Sequence, residues 1–186
     1  MFASFNYKSL VSRAAICLTV LLCVVIGFYL SLIASAAKPD IEQKAAIRRA
    51  IAVLDRTGFD NQAFLLRYAT TFRIEDNWLN ASVPKENAFA ATNFPFEIMT
   101  VYSDFFTYPV DDTERAAILL HESQHLEGKN EHDAYKFVWE NRTKLGWTAE
   151  KYIDSPVWRN VRTQTRENVP ELFNCPKNDY ADCTGN

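Results

Sequence analysis

From Ala14 to Ala34 the chain runs AAICLTVLLCVVIGFYLSLIA, 21 residues without a charge or a proline. A helix needs about 20 such residues to cross the hydrocarbon of a bilayer. This span therefore predicts one N-terminal transmembrane helix and sets residues 38–186 apart as a separate domain. Lys8 and Arg13 precede it, which places residues 1–13 in the cytoplasm and the domain outside. Ala34-Ser35-Ala36 also offers a small-residue cleavage site, so a signal peptide cut near residue 36 is the alternative. The apolar core of a signal peptide is shorter, roughly 7–15 residues, and the length here favours a retained signal anchor. In both cases the domain is exported, periplasmic or extracellular, and a cut chain is secreted.

The exported part has the make-up of a folded domain. The chain is 48% hydrophobic, with a formal net charge of −3 and no run of Lys or Arg, so it offers no electrostatic footprint for nucleic acid. Its five glycines form no phosphate-cradling loop. Cys17 and Cys23 lie in the apolar span, where they serve as small apolar residues. Cys175 and Cys183 flank PKNDYAD near the C-terminus; an oxidising compartment predicts that they pair and pin the tail.

Periodicity and caps predict an α+β domain that is mostly helical. Residues 40–56 (DIEQKAAIRRAIAVLDR) form an amphipathic helix with Ile41, Ala45, Ala52 and Leu54 among its apolar positions, ended by Gly58. A second helix covers Asn61 to Tyr68. TTFRI and FEIMTVY are β-branched and aromatic and read as strands, with a polar connection around Asn80–Lys85 between them. Pro109 and Asp111-Asp112 open the next helix, with Glu114 placed for a capping box to Asp111. That helix, ERAAILLHESQHLE, ends at Gly128. Asn130 caps EHDAYKFVWENRTKL, which ends at Gly146. Further helices lie around Ala149–Ile153 and Val157–Glu167. The small sheet thus precedes the helix that carries the chemistry.

That chemistry sits in HESQHLEGKNEHDAY. All three histidines of the chain, His121, His125 and His132, fall within these residues. On a helix, positions i and i+4 lie ~40° apart, so His121 and His125 can reach one ion. Glu122 lies ~60° round from His125, close enough to hold a metal-bound water without being a ligand. Ala116 to Leu120 make the preceding turns apolar all round, and a buried helix that abruptly turns polar must satisfy those groups. A metal does so. For the third ligand, Glu127 points well over 100° away and is rejected. Glu131 shares the inward face of the next helix with Ala134, Val138 and Leu145; His132 leans toward Trp139, and Asp133 points the opposite way. Glu131 is the choice, with His132 its rival.

HESQH resembles the zinc-binding helix of the zincin metallopeptidases. HESQHLEGKNE also resembles the metzincin pattern through Gly128, with Glu131 where that pattern has histidine, and no methionine follows for a methionine turn. A glutamate on the next helix is the gluzincin arrangement, here with a short connection. The resemblance covers about 25 residues and identifies no family within the superfamily. It implies a zincin-like domain that holds Zn2+ through His121, His125 and Glu131 and hydrolyses peptide or protein substrates with a zinc-activated water. Glu122 would be the general base. His132, Tyr135 and Tyr152 are the available donors to the oxyanion. By the same analogy the substrate would lie along an edge strand around Phe96–Tyr102. The competing reading is a non-catalytic envelope protein in which zinc staples two helices; a base beside an open coordination position argues against it.

Overall fold

The computed structural model describes residues 7–81 and 89–174. Helix α1 (Tyr7–Ala34) contains the apolar span; its segment Ser9–Ala34, with a mean hydropathy of 2.8, is long and apolar enough to cross a membrane or to act as a signal sequence. Residues 9–27 are exposed. The last turns dock. Leu32 and Ala36 are buried, and Phe28 meets Trp78 edge to face at 5.6 Å and Phe96 at 5.5 Å. Trp78 donates its indole N–H to Ser31 Oγ (3.2 Å), and Arg73 Nε caps the Ile33 carbonyl (3.1 Å).

Helix α2 (Ile41–Arg56) starts at a capping box, with Asp40 accepting from the Gln43 N–H and the Gln43 side chain accepting from the Asp40 N–H. Its inward face differs from the expected one. Ile47, Ala50, Ile51 and Leu54 are buried, following i, i+3, i+4, i+7, whereas Ile41 is exposed. The expected helix over 61–68 is α3 (Asp60–Phe64) continuing into a π-helical turn, Leu65–Ala69. Strands β1 (Thr71–Arg73), β2 (Ala90–Asn93) and β3 (Ile98–Val101) form one sheet of order β1-β3-β2, with β1 parallel and β2 antiparallel to β3. The expected strands TTFRI and FEIMTVY correspond to β1 and β3; β2 was not expected.

The short α4 (Ser103–Thr107) leads to α5 (Asp112–Leu126), the central helix. Ala116 to Leu120 are all buried because α5 packs against α2, α6 (Glu131–Leu145) and β2 at once. Asp111 caps α5 through the Thr113 and Glu114 N–H groups, yet the expected capping box does not close. Glu114 is fully buried, and its carboxylate instead accepts from Val110 N–H, Trp147 Nε1 and Ser155 Oγ. Ser155 in turn caps α8 (Pro156–Asn168). Between α6 and α8 lies α7 (Ala149–Tyr152), and a 3₁₀ turn, Pro170–Phe173, ends the described chain. Trp139, Trp147 and Trp158 stack together here, with ring centroids 4.7–6.2 Å apart. The Cys175–Cys183 pair and much of the Asn80–Lys85 connection fall outside the described residues.

Candidate metal centre

The site forms where α5 ends and α6 begins. Leaving α5, Gly128 adopts a left-handed φ of +76°, a conformation that glycine reaches without strain, and Lys129 N–H returns to the Gln124 carbonyl (3.0 Å). Asn130 then caps α6 by accepting from Asp133 N–H (2.9 Å). This tight reversal sets Glu131, the first residue of α6, against the last two turns of α5.

His121 and His125 direct their Nε2 atoms at one another, 3.2 Å apart. The Glu131 carboxylate closes the group at 3.2 Å from His121 Nε2 and 3.4 Å from His125 Nε2. One ligand atom from each residue lies within 4.8 Å of the others, so the three form a possible metal-binding triad. The tautomer suits this. His125 Nδ1 can only donate to the Lys129 carbonyl (2.9 Å), which leaves its Nε2 lone pair facing the triad. Side-chain exposures of 13% and 17% for the histidines and 60% for Glu131 show that the centre is walled by α5 and open on the α6 side.

Converging lone pairs need a cation between them, and without a metal a proton plays that part. Burial alone would lower the His125 pKa; its hydrogen bond to Glu131, the nearby Glu122 charge and the Lys129 carbonyl outweigh burial and raise it to about 9. The hydrogen bonds from His121 and His125 pull the Glu131 carboxyl well below the usual carboxylate range.

Glu122 stands outside the triad. Its side chain is buried, and Oε2 accepts from Thr92 Oγ1 at 2.8 Å. Thr92 belongs to β2, which forms one wall of a cleft of about 660 Å³ lined also by His121, Glu122, Glu131, Tyr135 and Gln164. Tyr135 packs its ring on His121, with centroids 4.3 Å apart. Burial, followed by the charges of Glu131 and Glu122, raises its pKa, so it remains a neutral phenol and a donor.

Of the expected residues, His121, His125 and Glu131 come together, with Glu122 beside them. His132, the rival ligand and a possible oxyanion donor, lies elsewhere; it faces Asp133 (3.3 Å) and Glu171 (3.0 Å) on the surface. One residue of helix turns the side chain by ~100°, enough to carry it off the inward face. Tyr152 is also excluded as a donor here, since its hydroxyl is committed to Asp111 Oδ2 (2.8 Å) at the other end of α5. Of the three expected donors only Tyr135 lines the cleft. The edge strand is corrected as well. Residues Ile98–Val101 are the central strand, and among the described residues the edge strand lining the cleft with the histidines is β2. Thr92 was missed, and nothing in Ala-Ala-Thr-Asn signals it. No protein-family model, curated protein or solved structure matches the chain.

Proposed function

We propose that this chain is a membrane-anchored, zinc-dependent peptidase with a zincin-like domain on the outer side of the membrane, cutting peptide or protein substrates. Zinc is favoured by the donor set and by the spacing. Two imidazoles and a carboxylate suit it, and tetrahedral bonds of ~2.0–2.1 Å separate neighbouring ligand atoms by about 3.3–3.4 Å. Here the two imidazole Nε2 atoms are 3.2 Å apart, Glu131 Oε2 lies 3.2 Å from His121 and Oε1 3.4 Å from His125, and one atom from each residue lies within 4.8 Å of the others. Bound there, zinc would lower the pKa of a water and polarise a substrate carbonyl.

The observation that carries the hydrolytic reading is Glu122. A purely structural site has no use for a buried carboxylate next to the triad, in a cleft and outside the ligand set. Thr92 fixes one oxygen of that carboxylate, leaving the other to accept a proton from water and return it to the leaving amine. Tyr135, from α6, supplies a neutral donor in the same cleft for the developing oxyanion.

The test compares wild type with Glu122→Gln, using full-length protein, a mixed peptide library and a chelator control. Glu122→Gln should keep its zinc while cleavage falls on the order of 10²–10⁴-fold, the usual contribution of a general base. Equal cleavage by the two proteins would remove Glu122 from the mechanism. Full zinc loading with no cleavage by either, across a broad library, would replace the enzyme with a stapled pair of helices.

A further inference from the structure

The docking of α1 onto the domain has a consequence for where the domain sits. Among the described residues of α1, the stretch before Phe28 is uniformly exposed, and burial against the domain begins at Phe28. From Ala14, the first residue after Arg13, to Gly27 there are 14 residues, about 21 Å of helix at ~1.5 Å per residue. The hydrocarbon layer is about 30 Å thick. The missing ~9 Å corresponds to about six more residues, which are Phe28 to Ile33, the segment that packs on Trp78 and Phe96. Sliding the helix the other way would draw Ser9, Ser12 and Arg13 into hydrocarbon, at a cost that rises with the depth of the guanidinium. Tilt would only lengthen the stretch required.

We propose that the domain rests on the bilayer, with Trp78, Leu79, Phe94 and Phe96 set into the lipid interface beside the end of α1. Trp78, Leu79 and Phe94 are exposed large apolar side chains. The Trp78 ring is open while its N–H is already bonded to Ser31, the form in which tryptophan favours the membrane–water boundary. The occupant of this face is lipid, because α1 itself leads into it. The β2–β3 turn that brings Phe96 to Phe28 also sets Phe94 on the rim of the cleft. That rim is therefore at the lipid surface, and polypeptide segments close to a membrane are the substrates nearest to it.

The inference rests on α1 as a retained anchor, one part of the proposed function, and is independent of metal and hydrolysis. Its test is tryptophan quenching by brominated lipids, with the full-length chain in phosphatidylcholine vesicles. Trp139, Trp147 and Trp158 are buried in the domain, so Trp78 is the reporter within reach of lipid. Bromines placed shallowly in the acyl chains should quench part of the emission, and bromines near the bilayer centre less. Trp78→Phe should abolish that quenching, and Leu79→Trp added to it should restore it. His121→Ala should leave it unchanged, whatever becomes of the metal. Vesicles that hold the chain but show equal emission with brominated and plain lipid would overturn the inference and spare the anchor. A chain extracted by alkaline carbonate would overturn both, with the metal site untouched.

Discussion

Replacing Glu114 by alanine should strip the domain of a large part of its stability, although Glu114 lies outside the metal centre. Its carboxylate accepts from Ser155 Oγ (2.5 Å) and Trp147 Nε1 (3.3 Å), both buried, and from the Val110 N–H (3.0 Å). Each orphaned buried donor costs ~1–3 kcal/mol. The two buried donors together make about 2–6 kcal/mol, whereas Val110 N–H, at the head of α5, can turn to water. For a chain of this size a loss of ~1 kcal/mol lowers Tm by about 2–4 °C, so the central expectation is a fall of roughly 8–16 °C. Glu114→Gln keeps one oxygen for Ser155 and Trp147 but turns an N–H toward Val110, and should lose about 1–3 kcal/mol. Near-UV circular dichroism of the full-length protein in mild detergent follows the melt, because Trp147 and Trp158 stack beside this carboxylate. A fall below about 3 °C for alanine would refute the reasoning. So would a glutamine variant more stable than wild type, which would mean that desolvating the carboxylate outweighs its three neutral donors.

At the metal centre, Glu131→Ala should weaken zinc binding by at least about 10–100-fold while His132→Ala leaves it within about 2-fold. Competition with a chromogenic chelator measures both, and the opposite order would move the third ligand to α6's outer face. Zinc binding as proposed would also displace the proton on His125. The folded pKa of about 9 stands above the ordinary ~6.5, so the stabilising contact of that proton is complete below pH ~6.5 and is lost as pH rises through about 9. Zinc affinity, which competes only with the folded-state proton, should climb about tenfold per pH unit below about 9 and flatten above it. Calorimetry at pH 7 in buffers of different ionisation enthalpy should show about one proton released; no dependence on the buffer would refute it.

What could be read from the sequence follows from how local each signal is. Asp40, Asn130 and Gly146 act within one helical turn, and each marks the end of a helix as expected. The apolar run Ala116–Leu120 identifies the central helix because only a helix covered on every side is apolar all round. Strand β2 carries no such signal. Ala-Ala-Thr-Asn has little intrinsic preference for a strand and is held as one by its pairing with Ile98–Val101. Missing β2 made β3 look like the edge of the sheet and hid Thr92, which meets Glu122 across 30 residues of sequence. Glu114 shows the same limit. Its spacing from Asp111 suits a capping box, but Trp147 and Ser155 compete for the carboxylate from more than 30 residues away.

That Glu131 and not His132 comes beside the two histidines was open to sequence reasoning because the helix decides it, and the same geometry suits Glu131 to a possible metal-binding triad. As the first residue of α6 it lies at the positive end of a helix of 15 residues, where a carboxylate is favoured. Asn130, not Glu131, satisfies the Asp133 N–H, so the glutamate is spared from capping and can lean toward α5. Two hydrogen bonds from the histidines hold it there as an anion. The arrangement costs little strain, since the reversal is taken by Gly128, whose φ of +76° would penalise any residue with a side chain. The placement of Glu131 is thus set by a glycine and an asparagine outside the triad. Glu122 is fixed separately, by Thr92 on β2. In the proposed enzyme Glu122 is steadied from β2 while Glu131 comes from α6, so one can be lost without the other, and Glu122→Gln and Glu131→Ala should give distinct defects in cleavage and in zinc affinity.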